Sequence, residues 1–471
     1  MLRKILLVVS GNAAASLLLF ARNLLVARML PVEDYGIAAT FAIAMAVVEM
    51  ASQLGLQQQI VQARDGNDPR FQAALQGFQL LRGLLSGGAL FFAAGLIADL
   101  LRVPQVAWAY QLMALIPVLN ALQHFDIHRL GRELRFWPQI LTGALPALVS
   151  LLALWPLARM FGDYRVMLYA MLLQAVLGTA ISHLVAERRY RLVLDRQVMR
   201  RSLHFGWPLL LNGLLLFAVF QGDRLIVARA FGIASLAIFS MGVTLTLTPM
   251  LVMVKSTQSF FLPQLSTAAH ARATRPERFD ELAQAALQAA LLGGALLVLG
   301  VMLLGPMLIE AVLGGKYAAL LPLLCWFAAQ QGLRMAKAGP NIVALAAGLT
   351  SNSMVSNAVR AASLPLIWWA AQRDQDLAVL LAIGTLAEAL GFALALVHLA
   401  RHLGVSCRPS LPAIALLGLF LASIWMGTVT PVPAAGLLAG VAAAAPWAAA
   451  AVLACLPLSM VALRRQVLRR G

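Results

Sequence analysis

Five cationic side chains sit where cations are costly. Arg22, Arg224, Arg334, Lys337 and Arg360 all lie inside long apolar runs, and an ionisable group at membrane depth persists only when it faces a cavity or a partner. Gln330, Arg334, Lys337 and Asn341 follow an i, i+4, i+7, i+11 spacing, which places them in one narrow sector of a helix. The next run carries Ser353, Ser356, Asn357, Arg360 and Ser363 in the same manner. Guanidinium and ammonium groups gathered in this way suit phosphate oxygens, which accept charge-assisted and, from arginine, bidentate hydrogen bonds. With Arg82 and Lys255 there are seven interior cations against three deep acids, Glu49, Asp223 and Glu388. That excess predicts an anionic cargo, since a site for cationic drugs needs the opposite balance.

The remaining polar residues divide between ligand contact and helix packing. Asn341, Asn357, Arg82 and Lys255 are secondary candidates for the anion site; Arg82 and Lys255 lie nearer the ends of their runs, where their charged heads can also snorkel. Glu49 and Asp223 are the candidates for proton or sodium coupling, although Asp223 adjoins Arg224 and can simply balance it. His124 and His128 flank Asp126, but the pair lacks a third ligand at a useful spacing, so no metal site is expected. Cys325, Cys407 and Cys455 are odd in number and widely separated, which indicates neither a disulfide framework nor a metal.

These groups must be positioned by a membrane protein. Apolar residues make up 61% of the 471 and charged residues 12%, with a mean hydropathy of +0.83, outside the range of a soluble domain. Windows of about 20 residues give an all-α polytopic chain of about fourteen transmembrane helices, the first without a small-residue cleavage site. Most of the 36 Lys and Arg then fall on one face of the membrane, whereas Arg28, Arg102, Arg159, Arg165, Arg229, Lys316 and Arg373 fall on the other, so both termini are expected in the cytoplasm. The net charge of +17 is accordingly read as short loops meeting anionic membrane lipids and not as a nucleic-acid surface.

The chain also repeats itself. Leu24-Leu25-Val26-Ala27-Arg28 returns as Leu225-Ile226-Val227-Ala228-Arg229, 201 residues on, and Gly87-Gly88-Ala89-Leu90 returns as Gly293-Gly294-Ala295-Leu296. Asp68-Pro69 and Thr274-Arg275-Pro276 each carry a helix-start signature leading to Phe71 and Phe279. A parallel repeat of two pseudo-symmetric six-helix lobes follows, with residues 1–203 as the first lobe and its basic linker, 204–403 as the second, and 404–471 as an added helix pair with a basic tail. The linker, Glu187 to Arg201, reads as a solvated anchor. Halves of this kind are most simply those of a transporter, with its site at their interface.

The stretches ARNLLVARMLPVEDYGIAATF (Ala21 to Phe41), LGLQQQIVQ (Leu54 to Gln62), FLPQLS (Phe261 to Ser266) and GGKYAALLPLL (Gly314 to Leu324) resemble, in order and spacing, the polysaccharide and O-antigen flippases, relatives of the lipid II flippases and of the multidrug and toxin extruders. The resemblance implies a V-shaped pair of lobes in the bacterial inner membrane. It implies flipping of an undecaprenyl-pyrophosphate-linked oligosaccharide from the inner to the outer leaflet by alternating access, commonly with proton or sodium coupling and with no other cofactor. Polysaccharide polymerase or export machinery would be the protein partners. Arg22 matches a cavity arginine of the lipid II flippases; the arginines those relatives carry on helices 2 and 8 are absent, with Glu49 and Lys255 in those regions. A lipid II flippase is the nearest alternative. A membrane polymerase or ligase would need a large outer loop, whereas the outer connections here are short, so no enzyme is expected. The last pair, residues 410–462, bears no charge and could guide a polyprenyl tail or serve in packing.

Overall fold

The computed structural model describes residues 2–406 except 53, 64, 134, 273, 275, 350, 374 and 375, together with 414, 415 and 418. The proposed helix pair over 410–462 lies outside the described residues. The chain separates into two compact units, Met1–Ser240 and Met241–Gly471, and no strand occurs among the described residues.

The first unit comprises α1 (Leu2–Met29), α2 (Val32–Ser52), α3 (Leu56–Gln62), α4 (Pro69–Leu100), a 3-10 turn leading into α5 (Ala107–Met113), α6 (Leu115–Leu122), α7 (Asp126–Arg132), α8 (Trp137–Leu152), α9 (Leu154–Met160), α10 (Arg165–Leu184) and α11 (Arg196–Phe231). The boundary between units falls inside α12 (Ile233–His270), and the second unit continues with α13 (Pro276–Leu308), a π-turn and a 3-10 segment, α14 (Leu324–Ala346), α15 (Ser351–Ala362), α16 (Leu364–Ala371) and α17 (Leu377–Leu403). Seven segments among the described residues are long and apolar enough to cross a bilayer. α14 is excluded because Gln330, Gln331, Arg334, Lys337 and Asn341 offset its apolar residues. Phe92, Leu96, Leu184 and Trp155 point outward, from 64% to 87% exposed; a soluble protein would bury such side chains, and hydrocarbon accepts them.

The repeat is visible in how each unit packs. α4 begins with Pro69 behind the Asp68 cap, whose carboxylate accepts from the Arg70 amide; α13 likewise begins with Pro276, although the Thr274 hydroxyl donates to the Ala271 carbonyl. Each then brings its Gly-Gly-Ala-Leu element against the helix that follows. A Cβ on Gly87 would lie 2.6 Å from the Ala114 carbonyl oxygen, and one on Gly294 would lie 2.6 Å from that of Gly332. The backbones approach that closely only without side chains between them.

The Glu187-to-Arg201 connection is largely exposed, as a solvated anchor would be, and hydrogen bonds and ion pairs tie it to the first unit. Asp126 accepts from the backbone amides of Glu187 and Arg188 and from Arg129 Nε, while Arg129 also pairs with Glu133 and Glu187. Arg188 reaches Gln72 Oε1 and the Asn67 carbonyl, Arg201 holds Asp65 through both nitrogens, and the Val193 amide donates to the Ala73 carbonyl. Burial pushes the Asp126 carboxyl up, but the Arg129 guanidinium and the two amides outweigh it and leave Asp126 below the ordinary carboxylate range. Burial holds His128 down at about 4, so it stays neutral at physiological pH. His124 accepts from the Asp126 amide and meets the His183 and Tyr190 rings edge to face. That arrangement is structural, and among the described residues no three His, Cys, Asp or Glu side chains are placed to hold a metal.

Candidate functional site

In the second unit the cations of α14 and α15 converge on one carboxylate. Their helices present them because i, i+3 residues share a face: Arg334 and Lys337 both leave α14 toward α17, and Arg360 leaves α15 toward the same point. Glu388 Oε1 accepts from Arg334 Nε at 2.6 Å and pairs with Arg360 Nε at 3.5 Å; Glu388 Oε2 accepts from Lys337 Nζ at 2.7 Å. Lys337 Nζ also donates to Asn357 Oδ1 at 3.2 Å, and Arg360 Nη1 donates to Ser363 Oγ at 2.8 Å. Glu388 and Arg360 are 0% exposed, Lys337 5% and Arg334 9%.

Glycines on α17 clear the space. A Cβ on Gly384 would meet Gln330 Nε2 at 2.7 Å and Arg360 Nη2 at 3.3 Å, and one on Gly391 would meet the Ser356 carbonyl oxygen at 2.7 Å. Three cations thus meet one carboxylate in a site that water barely reaches. Further along α17, His398 contacts Asn352, whose amide donates to Asn341 Oδ1 at 2.9 Å, so Asn341 belongs to a neighbouring polar contact and not to the cluster.

The first unit holds a different arrangement, an open polar cavity of about 370 Å³ between α2, α3, α4 and α6. α2 stops at Ser52, and the chain turns through Gly55 at φ 64° before α3 begins. Backbone interrupted at membrane depth survives where it lines a cavity or is capped, and Arg82 Nη1 caps the freed Ser52 carbonyl at 2.8 Å. Glu49 lies within electrostatic reach of Arg82, and both line the cavity with Gln57, Gln58, Gln79, Asn120 and Gln123.

The remaining candidates are dispersed. Arg22 is buried among α1, α8 and α10, donating to Ser150 Oγ and Gln174 Oε1. Arg224 donates to Gln221 Oε1 of its own helix, and Asp223 is its half-buried neighbour. Lys255 is exposed on α12. The structure therefore unites Arg334, Lys337, Arg360 and Asn357 at one point, and Arg82 and Glu49 at another. Sequence reasoning noted Glu388 as a deep acid without assigning it a role; a lone acid in the apolar α17 was the available signal, because it has to find a cation. Gln79, Asn120 and Gln123 were missed; the i, i+4, i+7 spacing of Gln72, Gln76 and Gln79 on α4 was the signal there.

Solved structures share this all-helical membrane fold. A lipid II flippase, MurJ, in an inward closed conformation is 13% identical, with a TM-score of 0.73 over 98% of this chain and 100% of that one. An inward-facing multidrug resistance MATE family transporter of the MOP superfamily is 14% identical, with a TM-score of 0.66 over 82% of this chain and 95% of that one; an outward-facing one is 18% identical, with a TM-score of 0.56 over 84% and 94%. No curated protein matches the sequence. A family profile described as polysaccharide biosynthesis protein matches residues 25–322. The chain belongs to that family, as the sequence motifs implied, and its long apolar helices and shared fold are those of a multi-pass membrane protein.

Proposed function

We propose that the protein flips an undecaprenyl-pyrophosphate-linked oligosaccharide from the inner to the outer leaflet of a bacterial inner membrane, as a transporter and not an enzyme. The observation that carries this reading is the gathering of three cations, Arg334, Lys337 and Arg360, around the single carboxylate of Glu388. Cations gathered away from water attract anions strongly, and a diphosphate carries a negative charge on each phosphate group. Arg334 and Arg360 bring the forked geometry that phosphate oxygens accept in pairs, and Lys337 a mobile point charge. Arg22, Arg224, Asn341 and Lys255 stand outside the cluster; in this reading Arg22 and Arg224 serve the translocation path elsewhere. The full assembly is two six-helix lobes with an added helix pair, about fourteen helices in all, with both termini in the cytoplasm. Proton or sodium coupling falls to Glu49 or Asp223, and a polysaccharide polymerase or exporter takes the product on the far side.

Deletion of the gene followed by analysis of lipid-linked intermediates tests the function. Completed repeat units should accumulate on the inner leaflet, shielded from reagents added outside. Complementation with Lys337→Glu should fail, since charge reversal adds repulsion to the lost attraction, while Lys337→Gln should retain partial export. Equal, mild defects from both variants would make Lys337 a structural lysine and remove the cluster from the substrate path.

A further inference from the structure

We infer that the cavity of the first unit is the binding site for the saccharide portion of the cargo, a neutral polyhydroxyl group, separate from the charged cluster of the second unit. The inference rests on the flippase reading and adds to it a second subsite with its own chemistry.

Three observations carry it. The cavity, at about 370 Å³, is within the roughly 300 to 1,000 Å³ range of small-molecule sites, and its wall is polar where a lipid-facing surface would be apolar. Gln57, Gln58, Gln79, Asn120 and Gln123 supply carboxamides, each offering donors and acceptors together, which is also the character of a sugar hydroxyl. The two charged groups on the wall, Glu49 and Arg82, balance one another, so a diphosphate finds no net attraction there, whereas hydroxyls can bond to a carboxylate and a guanidinium alike.

Gln79 of α4 is buried and lines the cavity, so a carboxamide enters the wall from a helix other than those that carry Gln57, Gln58 and Asn120. Of the same stripe on α4, Gln72 accepts from Arg188 and Gln76 accepts from the Phe125 amide, outside the cavity. The interruption of α2 at Ser52, capped by Arg82, is the feature that opens the wall, since an unbroken helix would carry its side chains across the space.

The test uses the full-length protein in lipid nanodiscs and two ligands, undecaprenyl pyrophosphate and the glycan-bearing lipid extracted from the deletion strain, with binding followed by tryptophan fluorescence. Wild type should prefer the glycan-bearing lipid. In Gln79→Ala that preference should fall at least tenfold, and Asn120→Ala, on a different helix, should lower it in the same direction. Lys337→Gln should weaken both ligands and keep their ratio. Should Gln79→Ala fail to fold, Asn120→Ala and Gln123→Ala decide the matter alone. An unchanged preference in the cavity variants, or no preference in wild type, overturns the saccharide site and leaves the flippase reading standing. Absence of binding by both lipids to wild type overturns the flippase reading itself and the subsite with it.

Discussion

The two sites solve opposite problems with polar groups inside a membrane protein. Around Glu388 the charged groups face one another: three cations share one carboxylate, every participant is nearly or fully buried, and glycines on α17 let the helices close over them. Around Arg82 the arrangement is open, with a broken helix, a row of carboxamides and an acid–base pair whose charges cancel. A closed ionic cluster is rigid and sensitive to the loss of any member, because removing one partner leaves an uncompensated buried charge. An open amide wall tolerates substitution and guests of varied shape. A carrier of glycans that differ in their sugars while sharing one phosphate anchor gains from having both kinds.

That contrast can be broken most directly at the two carboxylates. Glu388→Gln strands three buried cations and should lower stability by about 3 to 5 kcal/mol, whereas Glu49→Gln, exposed on the cavity wall, should change it by less than about 1 kcal/mol. Thermal melting in detergent reads both, and similar losses would mean that the second unit is no more tightly closed than the first. Arg82→Ala comes next: it uncaps the Ser52 carbonyl and should cost on the order of 1.5 kcal/mol, with faster amide exchange localised to residues 49–56. A change spread evenly over the first unit would show that Arg82 supports packing and not the helix break.

The smallest effect concerns pH at the linker anchor. Folding keeps His128 neutral down to about 4 and also lowers His124, in both cases through burial, while the open chain takes up protons near the ordinary histidine value of about 6.5. Their contribution is therefore complete above about pH 6.5 and declines as the pH falls toward 4. The depressed Asp126 carboxyl acts below that window, its stabilisation being present above the ordinary carboxylate range and lost as acid protonates it. Hydrogen exchange at the Glu187 and Arg188 amides, corrected for intrinsic rates, should stay flat from pH 8 to 7 and quicken from about 6.5 downward. A flat profile to pH 5 would leave the histidines uninvolved.

Local spacing carried the α14 stripe into view before any fold was known, since residues three and four apart must share a helical face; the same reasoning grouped Asn357 with Arg360. The partner at Glu388 stands 51 residues beyond Lys337, and no periodicity links positions so far apart. Helix interruptions were equally hidden. Residues 36–62 read as one apolar run, yet α2 ends at Ser52, with Gly55 the only hint, and 106–127 divides into α5 and α6. The glutamines of α4 show how one legible pattern can split between jobs: Gln72 and Gln76 secure neighbouring segments, and Gln79 alone reaches the cavity. The anchoring of the linker was also invisible, because its hold on Asp126 runs through the backbone amides of Glu187 and Arg188, which no side-chain pattern reveals.

The bare-backbone seam where Gly294 meets Gly332 has a mechanical consequence. With backbone against backbone at that crossing, and Met335 and Val298 beside it, α13 and α14 have little there to compress, so the pair behaves as a stiff plank. Any displacement of Arg334 and Lys337 is delivered along the whole length of α13, and bending is left to the π-turn at Ile309–Leu313. Swapping Gly332 for a bulkier residue would act as a wedge driven into that plank.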